Sequence, residues 1–377
     1  MTNKTKIWLS SPHMGGNEQK YIQDAFKDNW IAPLGPNVFG LEDDLKKYLK
    51  TDKEIAALSS GTAAIHLSLI LLGVKTGDEV LCQSLTFSAS ANPIIYQGAT
   101  PIFIDSENET WNMCPNALEE AIIDRINQGK KPKAIIAVHL YGMPFNVDAI
   151  TSVAIKYDIP LIEDSAEALG STYNGKKCGT FGTFGILSFN GNKIITTSGG
   201  GALVCSDKHV KDKAVFFATQ SRDNAPHYQH SEIGYNYRMS NVCAGIGRGQ
   251  MEVIDLRVAQ RRKMQAFYKE LFDSYSEISI LNEPSKEYFS NHWLTAILMK
   301  SEKQREDLRL ALEKENIESR PIWKPMHLQP VFEKYPYYGK KNAETIFQNG
   351  LCLPSGSNLN EEDKERIKKA IILQLNN

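Results

Sequence analysis

A regular alternation of two kinds of segment sets the architecture that this sequence predicts. Short β-rich runs occupy residues 79–82, 100–104, 134–139 and 160–163, and stretches with helical periodicity occupy residues 63–72, 116–127 and 147–157. Strands that alternate with helices through short loops form βαβ units and a largely parallel sheet. Several of these strands are apolar throughout, as expected where helices cover both faces of the sheet. The sequence therefore predicts an α/β fold.

The flanking segments predict a second, smaller domain. Amphipathic helices are predicted over residues 17–28 and 39–50, short strands within the glycine-rich residues 181–206, and one long helix over residues 241–272. The last hundred residues show a strand at 294–299 and helices at 302–315 and 361–375. A chain of 377 residues is long enough for two or three domains. We place the boundary within the long helix, with an N-terminal arm and large domain at residues 1–255 and a small domain at residues 256–377.

Charge and cysteine content exclude several classes of protein. The net charge is −1, from 43 basic and 44 acidic residues, so neither nucleic acid nor an anionic membrane is expected as a partner. Lys4 and Lys6 are not followed by an apolar segment, and the longest near-apolar run, residues 67–74, is far shorter than the ~20 residues of a membrane span. Six cysteines without a CxxC pair predict reduced thiols, no metal site and a cytoplasmic protein.

Two segments predict anion binding and a buried acid. The run SSGTAA (residues 59–64) lies between a β-like stretch and a helix, and small residues at a helix N-terminus leave backbone N–H groups free for a phosphate. An ordinary Ser or Thr N-cap is the alternative. Asp164 ends an apolar strand, where open α/β sheets bind ligands. A buried carboxylate there needs a proton or a cation, such as the protonated pyridinium nitrogen of pyridoxal phosphate. The alternative is that Asp164 caps the next helix.

Two further segments follow in the chain. Lys193 lies in the glycine-rich, hydrophobic run SFNGNKIITTSGGG (residues 188–201). Burial and neighbouring positive charge leave a lysine amine uncharged and able to form a Schiff base, whereas an ordinary surface lysine is solvated. The run GYNYRMSN (residues 234–241) is a polar and aromatic turn before the long helix, and it also fits a plain helix start capped by Ser240 or Asn241.

In this order, the four segments resemble the sugar aminotransferases of the DegT/DnrJ/EryC1/StrS family. The resemblance extends over residues 8–353 and is most specific at residues 59–67, 162–182, 188–204 and 234–250. It implies a pyridoxal-phosphate enzyme of fold type I, with a mostly parallel seven-stranded sheet in the large domain and a smaller α+β C-terminal domain. It also implies a homodimer with shared active sites.

The resemblance implies roles for individual residues. Lys193 matches the lysine that forms a Schiff base with pyridoxal phosphate, Asp164 the acid bonded to its ring nitrogen, and Phe87 the aromatic residue that stacks on the ring. Many members of the family have glutamine where this chain has Glu167, on the side of the phenolic oxygen. The phosphate cradle corresponds to Gly61, Thr62, Ser188 and Asn190, and Asn236 to a residue that reaches the neighbouring subunit's cofactor.

A sugar nucleotide needs aromatic and basic residues beyond the cofactor site. The candidates, all in blocks that resemble the family's substrate side, are Trp30, Arg238, Arg320, Trp323 and His327. Arg238 and Arg320 fit a pyrophosphate, which arginine binds bidentately. The alternatives are core or interface positions for the two tryptophans and a structural role for His327. His139, on an apolar strand, is predicted to be a core residue.

The resemblance implies a reaction in two half-steps. Glutamate donates its amino group, and a nucleotide-linked keto sugar accepts it, at C4 of a UDP-linked 4-keto-6-deoxy-N-acetylhexosamine. Amination at C3 or C4 of dTDP- or GDP-linked sugars remains an alternative, as does a non-catalytic regulator that binds pyridoxal phosphate. A dehydratase of the family would have histidine in place of Lys193. A nicotinamide-dependent dehydrogenase is disfavoured, because no G-x-G-x-x-G opens a helix after the first strand.

Overall fold

The computed structural model describes residues 4–376 as two sheets covered by helices, together with a small three-stranded sheet. The strands are β1 (Glu54–Leu58), β2 (Glu79–Gln83), β3 (Thr100–Ile104), β4 (Ala134–Val138), β5 (Leu161–Asp164), β6 (Thr172–Tyr173), β7 (Lys176–Lys177), β8 (Phe184–Ser188), β9 (Gly201–Cys205), β10 (Ser279–Ile280), β11 (Tyr288–Phe289), β12 (Thr295–Leu298), β13 (Arg320–Pro321), β14 (Tyr337–Tyr338) and β15 (Gly350–Leu353).

The helices follow the predicted alternation with the strands. They are α1 (Glu18–Lys27), α2 (Pro36–Leu49), α3 (Gly61–Leu71), α4 (Asn92–Tyr96), α5 (Pro115–Asn127), α6 (Val147–Lys156), α7 (Lys208–Ala218), α8 (Asn241–Met251), α9 (Ile254–Phe272), α10 (Glu302–Lys314), α11 (Asn342–Asn349) and α12 (Glu361–Leu375). Among residues 4–376, no helix is both long enough and apolar enough to cross a bilayer.

The large sheet has the strand order β1-β9-β8-β5-β4-β2-β3-β14. Only β9 runs antiparallel to its neighbours, so the sheet is mostly parallel, as predicted. Seven strands come from the large domain, and the eighth, the two-residue β14, comes from the C-terminal part of the chain. Because β1 is antiparallel to β9 and β9 to β8, β1 runs in the same direction as β8 and β5. Their carboxyl ends therefore open on one edge of the sheet.

Helices cover both faces of the large sheet. One face packs against α3 through residues such as Ile65 and Leu69, which are almost fully buried. The opposite face carries α5 and α6, with Leu118 and Ile150 in the core. Apolar strands between two helical layers are the physical reason for the parallel arrangement, because neither face meets water.

The small sheet, β10-β12-β15-β13, is antiparallel and packs against α9, α10 and α12. One prediction is wrong in detail: the helix expected over residues 241–272 is two helices. The break falls at Glu252 and Val253, where Val253 has φ −117° and ψ 10°, outside helical geometry. Helical periodicity continues through the break, which is why the sequence did not show it. The division at residue 255 remains a prediction.

Candidate active site

A cavity of about 810 Å³ opens where the carboxyl ends of β1, β5 and β8 meet. The N-terminal segment and the segment around β13 close it from the other side. Ten of the residues predicted from sequence line this cavity: Gly61, Thr62, Phe87, Asp164, Glu167, Ser188, Asn190, Lys193, Arg320 and Trp323. Residues more than 250 positions apart in the chain are thus brought together by the parallel topology.

The N-terminus of α3 forms one wall of the cavity. Ser60 caps the helix in an extended conformation, and its hydroxyl accepts a hydrogen bond from the Ala63 N–H at 3.0 Å. The N–H groups of Gly61 and Thr62 have no acceptor within the helix, as is general for a first turn. A Cβ on Gly61 would lie 3.2 Å from that of Ser188. The glycine therefore permits a close approach of the two segments around an anion at the positive end of the helix dipole.

Asp164, at the end of β5, is buried with few donors around it. Ser90 donates its hydroxyl hydrogen to the Asp164 carboxylate at 2.6 Å, and the Ala166 N–H approaches it at 3.2 Å. Burial raises the pKa of Asp164 above its usual value, and these two hydrogen bonds only partly oppose that effect. A buried acid in this state gains from a cationic partner in the cavity.

Glu167 is a second buried carboxyl group on the cavity wall. It accepts a hydrogen bond from the Tyr141 N–H at 2.7 Å and from the Lys193 ammonium at 3.1 Å. Burial raises the pKa of Glu167, and the charge on Lys193 opposes the increase. A carboxylate beside a phenolic oxygen would be repelled by it, and that repulsion is relieved when Glu167 holds a proton or keeps its contact with Lys193.

Lys193 lies on the turn that follows β8. Its backbone N–H donates to the Asn190 carbonyl at 3.0 Å, which closes the turn, and its side chain is only 11% exposed. The Nζ atom lies 3.1 Å from Glu167 and 4.0 Å from the ring centroid of Trp293. The buried amine therefore lies inside the cavity, between a carboxylate and an aromatic face that both attract its charged form.

Glu163, the neighbour of Asp164, lies on the opposite face of β5 and has a different environment. Its carboxylate accepts hydrogen bonds from His139 Nε2 at 2.8 Å and from the N–H groups of Phe181 and Gly182 at 2.7 and 3.1 Å. The Gly179 N–H adds another hydrogen bond. Burial by itself would raise the pKa of Glu163, but these donors outweigh burial and lower it.

His139 is a core residue, as predicted. Its side chain is fully buried and stacks on Phe145, with ring centroids 4.3 Å apart. His139 Nδ1 accepts the Phe145 N–H, so Nε2 carries the hydrogen that is donated to Glu163. Ligand atoms of His139, Glu163 and Cys178 lie within 4.8 Å of one another, but both histidine nitrogens and the carboxylate are already hydrogen-bonded. We therefore assign no metal to this group.

Two substrate predictions are corrected by the structure. The Arg238 guanidinium is buried outside the cavity, where Nη1 donates to Glu42 at 2.5 Å and to the Ala57 carbonyl at 2.9 Å. It is therefore engaged by an internal acid. His327 also lies outside the cavity lining. Its ring stacks on Tyr337 at 3.8 Å, and its Nδ1 is 2.7 Å from the Ser84 hydroxyl, which fits the structural alternative.

Trp30 and Asn236 lie on the surface, apart from the cavity of their own chain. Trp30 is 41% exposed, and its carbonyl accepts a hydrogen bond from Asn241. Asn236 is exposed, and its backbone bridges to Thr219. The role predicted for Asn236 requires a second subunit, so it remains a prediction.

Two residues at the site were not predicted from sequence. Ser90 contacts Asp164, and Trp293 contacts Lys193. Ser90 lies in the same block as Phe87, so the serine-rich run SLTFSAS (residues 84–90) was a usable signal. Trp293 lies in the small-domain half of the chain, and no local pattern connects it to residue 193.

Comparisons with known proteins agree over nearly the whole chain. The sequence profile of the DegT/DnrJ/EryC1/StrS aminotransferase family matches residues 12–372. The chain is 50% identical over 371 residues to EpsN of Bacillus subtilis (strain 168), which is named as an inferred pyridoxal phosphate-dependent aminotransferase. The match covers 97% of this chain and 95% of EpsN. It is 39% identical over 357 residues to the GDP-perosamine synthase of Escherichia coli O157:H7, with 94% and 95% covered.

A solved structure extends the likeness to the fold. The pyridoxal-phosphate form of Spr1654 from Streptococcus pneumoniae, named as an inferred sugar aminotransferase, superposes with a TM-score of 0.89. The two sequences are 26% identical, and 99% of each chain is covered. The superposition covers almost the whole chain, so the likeness is one of the complete fold.

Proposed function

This chain belongs to the DegT/DnrJ/EryC1/StrS aminotransferase family, and from that premise we propose that it moves the amino group of glutamate onto C4 of a UDP-linked 4-keto-6-deoxy-N-acetylhexosamine. It is a pyridoxal-phosphate-dependent sugar aminotransferase, so the proposal concerns the amino donor, the particular sugar and the residues that act. The observation that carries it is one cavity that contains a buried lysine, a buried acid and the open N-terminus of a helix.

The residues of the cavity fit pyridoxal phosphate. Asp164, buried and short of donors, suits the protonated ring nitrogen, and the start of α3 with Ser188 and Asn190 suits the phosphate. Phe87, which is 55% exposed in the protein alone, would cover one face of the ring. When bound, the cofactor supplies an electron sink for the carbon that carries the amino group. These residues are proposed to hold it.

Lys193 is the proposed acid and base. In each half-reaction its Nζ atom would move a proton between the amino-bearing carbon, of the donor or of the sugar, and the carbon of the cofactor that carries the amino group. Glu167 accepts a hydrogen bond from the ammonium form and keeps it within the cavity between these steps. Asp164 keeps the ring nitrogen charged, because an anion is otherwise costly in this buried position.

The sugar nucleotide is proposed to enter between the N-terminal segment and β13. Trp323 lies against Phe87 and Tyr141, with ring centroids 5.5 and 5.1 Å apart, and forms an aromatic wall. Arg320 is exposed at the cavity, and within residues 4–376 its guanidinium pairs with Glu318, so its remaining donors are available to a pyrophosphate. The E. coli relative is named for a GDP-linked product, and a GDP-linked keto sugar is therefore the second candidate.

Three further features are proposed together with this function. A homodimer would bring Asn236 and Trp30 of one subunit towards the cofactor site of the other. Exposed aromatic side chains at Trp30 and Phe39 are compatible with such an interface. The cytoplasmic location and the domain division at residue 255 are retained as proposals.

The function is tested with purified protein, pyridoxal phosphate and glutamate. UDP-, dTDP- and GDP-linked 4-keto-6-deoxy sugars and a 3-keto analogue are supplied separately, and amino-sugar products are measured by mass spectrometry together with 2-oxoglutarate. We expect transfer to the UDP-linked sugar at the highest kcat/KM. Preference for the GDP-linked sugar would replace the proposed substrate by the second candidate. Cofactor binding without transfer to any sugar would favour the non-catalytic regulator.

A further inference from the structure

The turn of residues 291–293, before β12, contacts the segment that carries Glu167 and the side chain of Lys193. The Asn291 side-chain amide donates to the carbonyls of Glu167 and Leu169 at 2.8 and 2.9 Å, and its oxygen accepts the Trp293 N–H at 2.8 Å. His292, between them, has a φ of +48°. A non-glycine residue in that region is uncommon and needs support from its surroundings, so the turn is held in one shape.

Trp293 reaches the lysine in two ways. Its indole N–H donates to the Asn192 carbonyl at 2.6 Å, and the Ser10 hydroxyl donates to the same carbonyl at 2.6 Å. Both lone pairs of the carbonyl that precedes Lys193 are thereby occupied, which fixes the peptide from which the lysine side chain extends. The ring centroid of the same indole lies 4.0 Å from Lys193 Nζ, and the lysine side chain is almost buried.

A buried arginine holds both donors. Arg261 is 1% exposed, and its Nη1 donates to the Trp293 carbonyl at 2.8 Å while its Nη2 donates to the Ser10 hydroxyl at 2.9 Å. Burial lowers the pKa of Arg261 to about 9, and its Nε has no hydrogen-bond partner within the described residues 4–376. A charge buried on these terms is costly. The Arg261 guanidinium holds the Trp293 carbonyl and the Ser10 hydroxyl in fixed positions relative to each other.

We propose that Trp293 is a positioning residue for Lys193. Its N–H, together with Ser10, fixes the backbone before the lysine, and its ring confines Nζ next to Glu167. This inference rests on the proposed role of Lys193 as the residue that captures the cofactor's carbonyl group. A correctly oriented amine needs less reordering when it reacts. Loss of the Trp293 and Ser10 hydrogen bonds therefore slows the reaction of Lys193 with the cofactor, even where the protein stays folded.

The test compares Trp293→Phe with a matched control in the same half of the chain. Trp293→Phe keeps an aromatic ring and removes one buried donor to a backbone carbonyl. Tyr268→Phe also removes one buried donor to a carbonyl, that of Pro354 at 2.8 Å, and Tyr268 packs in the core of the small sheet. Cofactor-free proteins are titrated with pyridoxal phosphate. The dissociation constant, the rate of appearance of visible absorption and its induced circular dichroism are recorded.

We expect Trp293→Phe to weaken cofactor binding about 3- to 10-fold, as expected from one lost hydrogen bond, and to reduce the induced circular dichroism. Ser10→Ala should act in the same direction and, because Ser10 is only half-buried, leaves the fold intact. Tyr268→Phe should bind the cofactor as the native protein does, although all of these variants lose stability. Equal capture by native protein, Trp293→Phe and Ser10→Ala would overturn the proposal.

Failure of the proposed function has a different signature. If Lys193 is not the capturing residue, Lys193→Ala will still develop the visible band, whatever the Trp293 variants do. If the lysine captures the cofactor but Trp293 does not position it, Lys193→Ala loses the band while Trp293→Phe and Ser10→Ala bind the cofactor as tightly and as fast as the native protein. The two hypotheses are therefore separated by the same set of spectra.

Discussion

The two faces of β5 carry adjacent acids with opposite surroundings. Glu163 faces a closed interior, where His139 and three backbone N–H groups surround it, and its pKa is lowered. Asp164 faces the cavity, where one hydroxyl and one N–H group approach it, and its pKa is raised. Both are buried, so burial does not distinguish them. The number of hydrogen-bond donors distinguishes them. A carboxylate whose oxygens all accept hydrogen bonds from the protein is structural, whereas one with few donors can bind a ligand.

The sharpest test of this contrast compares the two lysines nearest the two acids. Lys193→Ala should lower turnover by at least ~10³-fold, since it removes the proposed acid and base and the attachment of the cofactor. Lys53, whose ammonium donates to the Gly182 carbonyl behind Glu163, is the matched control. Lys53→Met should keep turnover within about 2-fold per folded molecule. Equal losses in the two variants would mean that the face of the sheet does not decide the role.

Asp164→Asn should separate activity from stability. Turnover with glutamate should fall roughly 100-fold or more, because a neutral amide does not keep a ring nitrogen protonated. The cofactor-free protein should unfold within about 1 kcal/mol of the native value, or above it, since an uncompensated buried acid is removed. Steady-state kinetics and urea unfolding measure the two effects. A large loss of stability would show that Asp164 is a structural acid like its neighbour.

Glu163→Gln should give the reverse result. The amide nitrogen of glutamine would face donors that now bind a carboxylate oxygen, so we expect a loss of about 2–4 kcal/mol in the free energy of unfolding. Turnover per folded molecule should change less than in Asp164→Asn. Urea unfolding followed by circular dichroism gives the stability. Unchanged stability would contradict the structural role of the closed interior.

The pH dependence of these stability differences gives the smallest effect. Because the pKa of Glu163 is lower in the folded state, its ionised form stabilises the fold at pH values above the unfolded pKa of 4.5. This contribution is lost as the pH falls through the folded pKa. The destabilisation by Glu163→Gln should therefore shrink below about pH 4.5. Asp164 has a raised pKa, so its penalty is present above the folded pKa and is relieved as the pH falls through it. Any increase in the free energy of unfolding in Asp164→Asn should also shrink towards acid pH. It is opposite in sign to the change in Glu163→Gln, and urea unfolding at several pH values measures both.

Elements that depend on local pattern were predicted well from the sequence. The parallel strands follow from apolar runs bounded by turns. Asp164 was placed at a strand end and Lys193 in a glycine-rich segment, and the structure brings both into one cavity. The break between α8 and α9 was missed because helical periodicity continues across it. Arg238 was misplaced because its partner Glu42 is 196 residues away, and ion pairs at such separations leave no local signal.

The contrast between the two faces of β5 also was not visible in the sequence. Glu163 and Asp164 are adjacent, and the donors that distinguish them come from residues 139, 179, 181 and 182 on one side and residue 90 on the other. The three backbone N–H groups point at Glu163 because of the geometry of the turn at residues 179–182, and not because of the residue types there. Trp293 was missed for the same reason, since its approach to Lys193 depends on how the two halves of the chain pack.

The strand β14 has a consequence for motion and for association. Tyr338 and Pro336 pair with the outer edge of β3, and Asp105 accepts the N–H groups of Asn342 and Ala343 at 2.9 Å, so that an acid of the large sheet caps α11. The C-terminal half is thereby fastened to the far side of the large sheet and cannot swing away as a hinged lid. The same strand covers an edge that would otherwise offer unpaired amides to another molecule, so a chain truncated before residue 336 should be prone to aggregate.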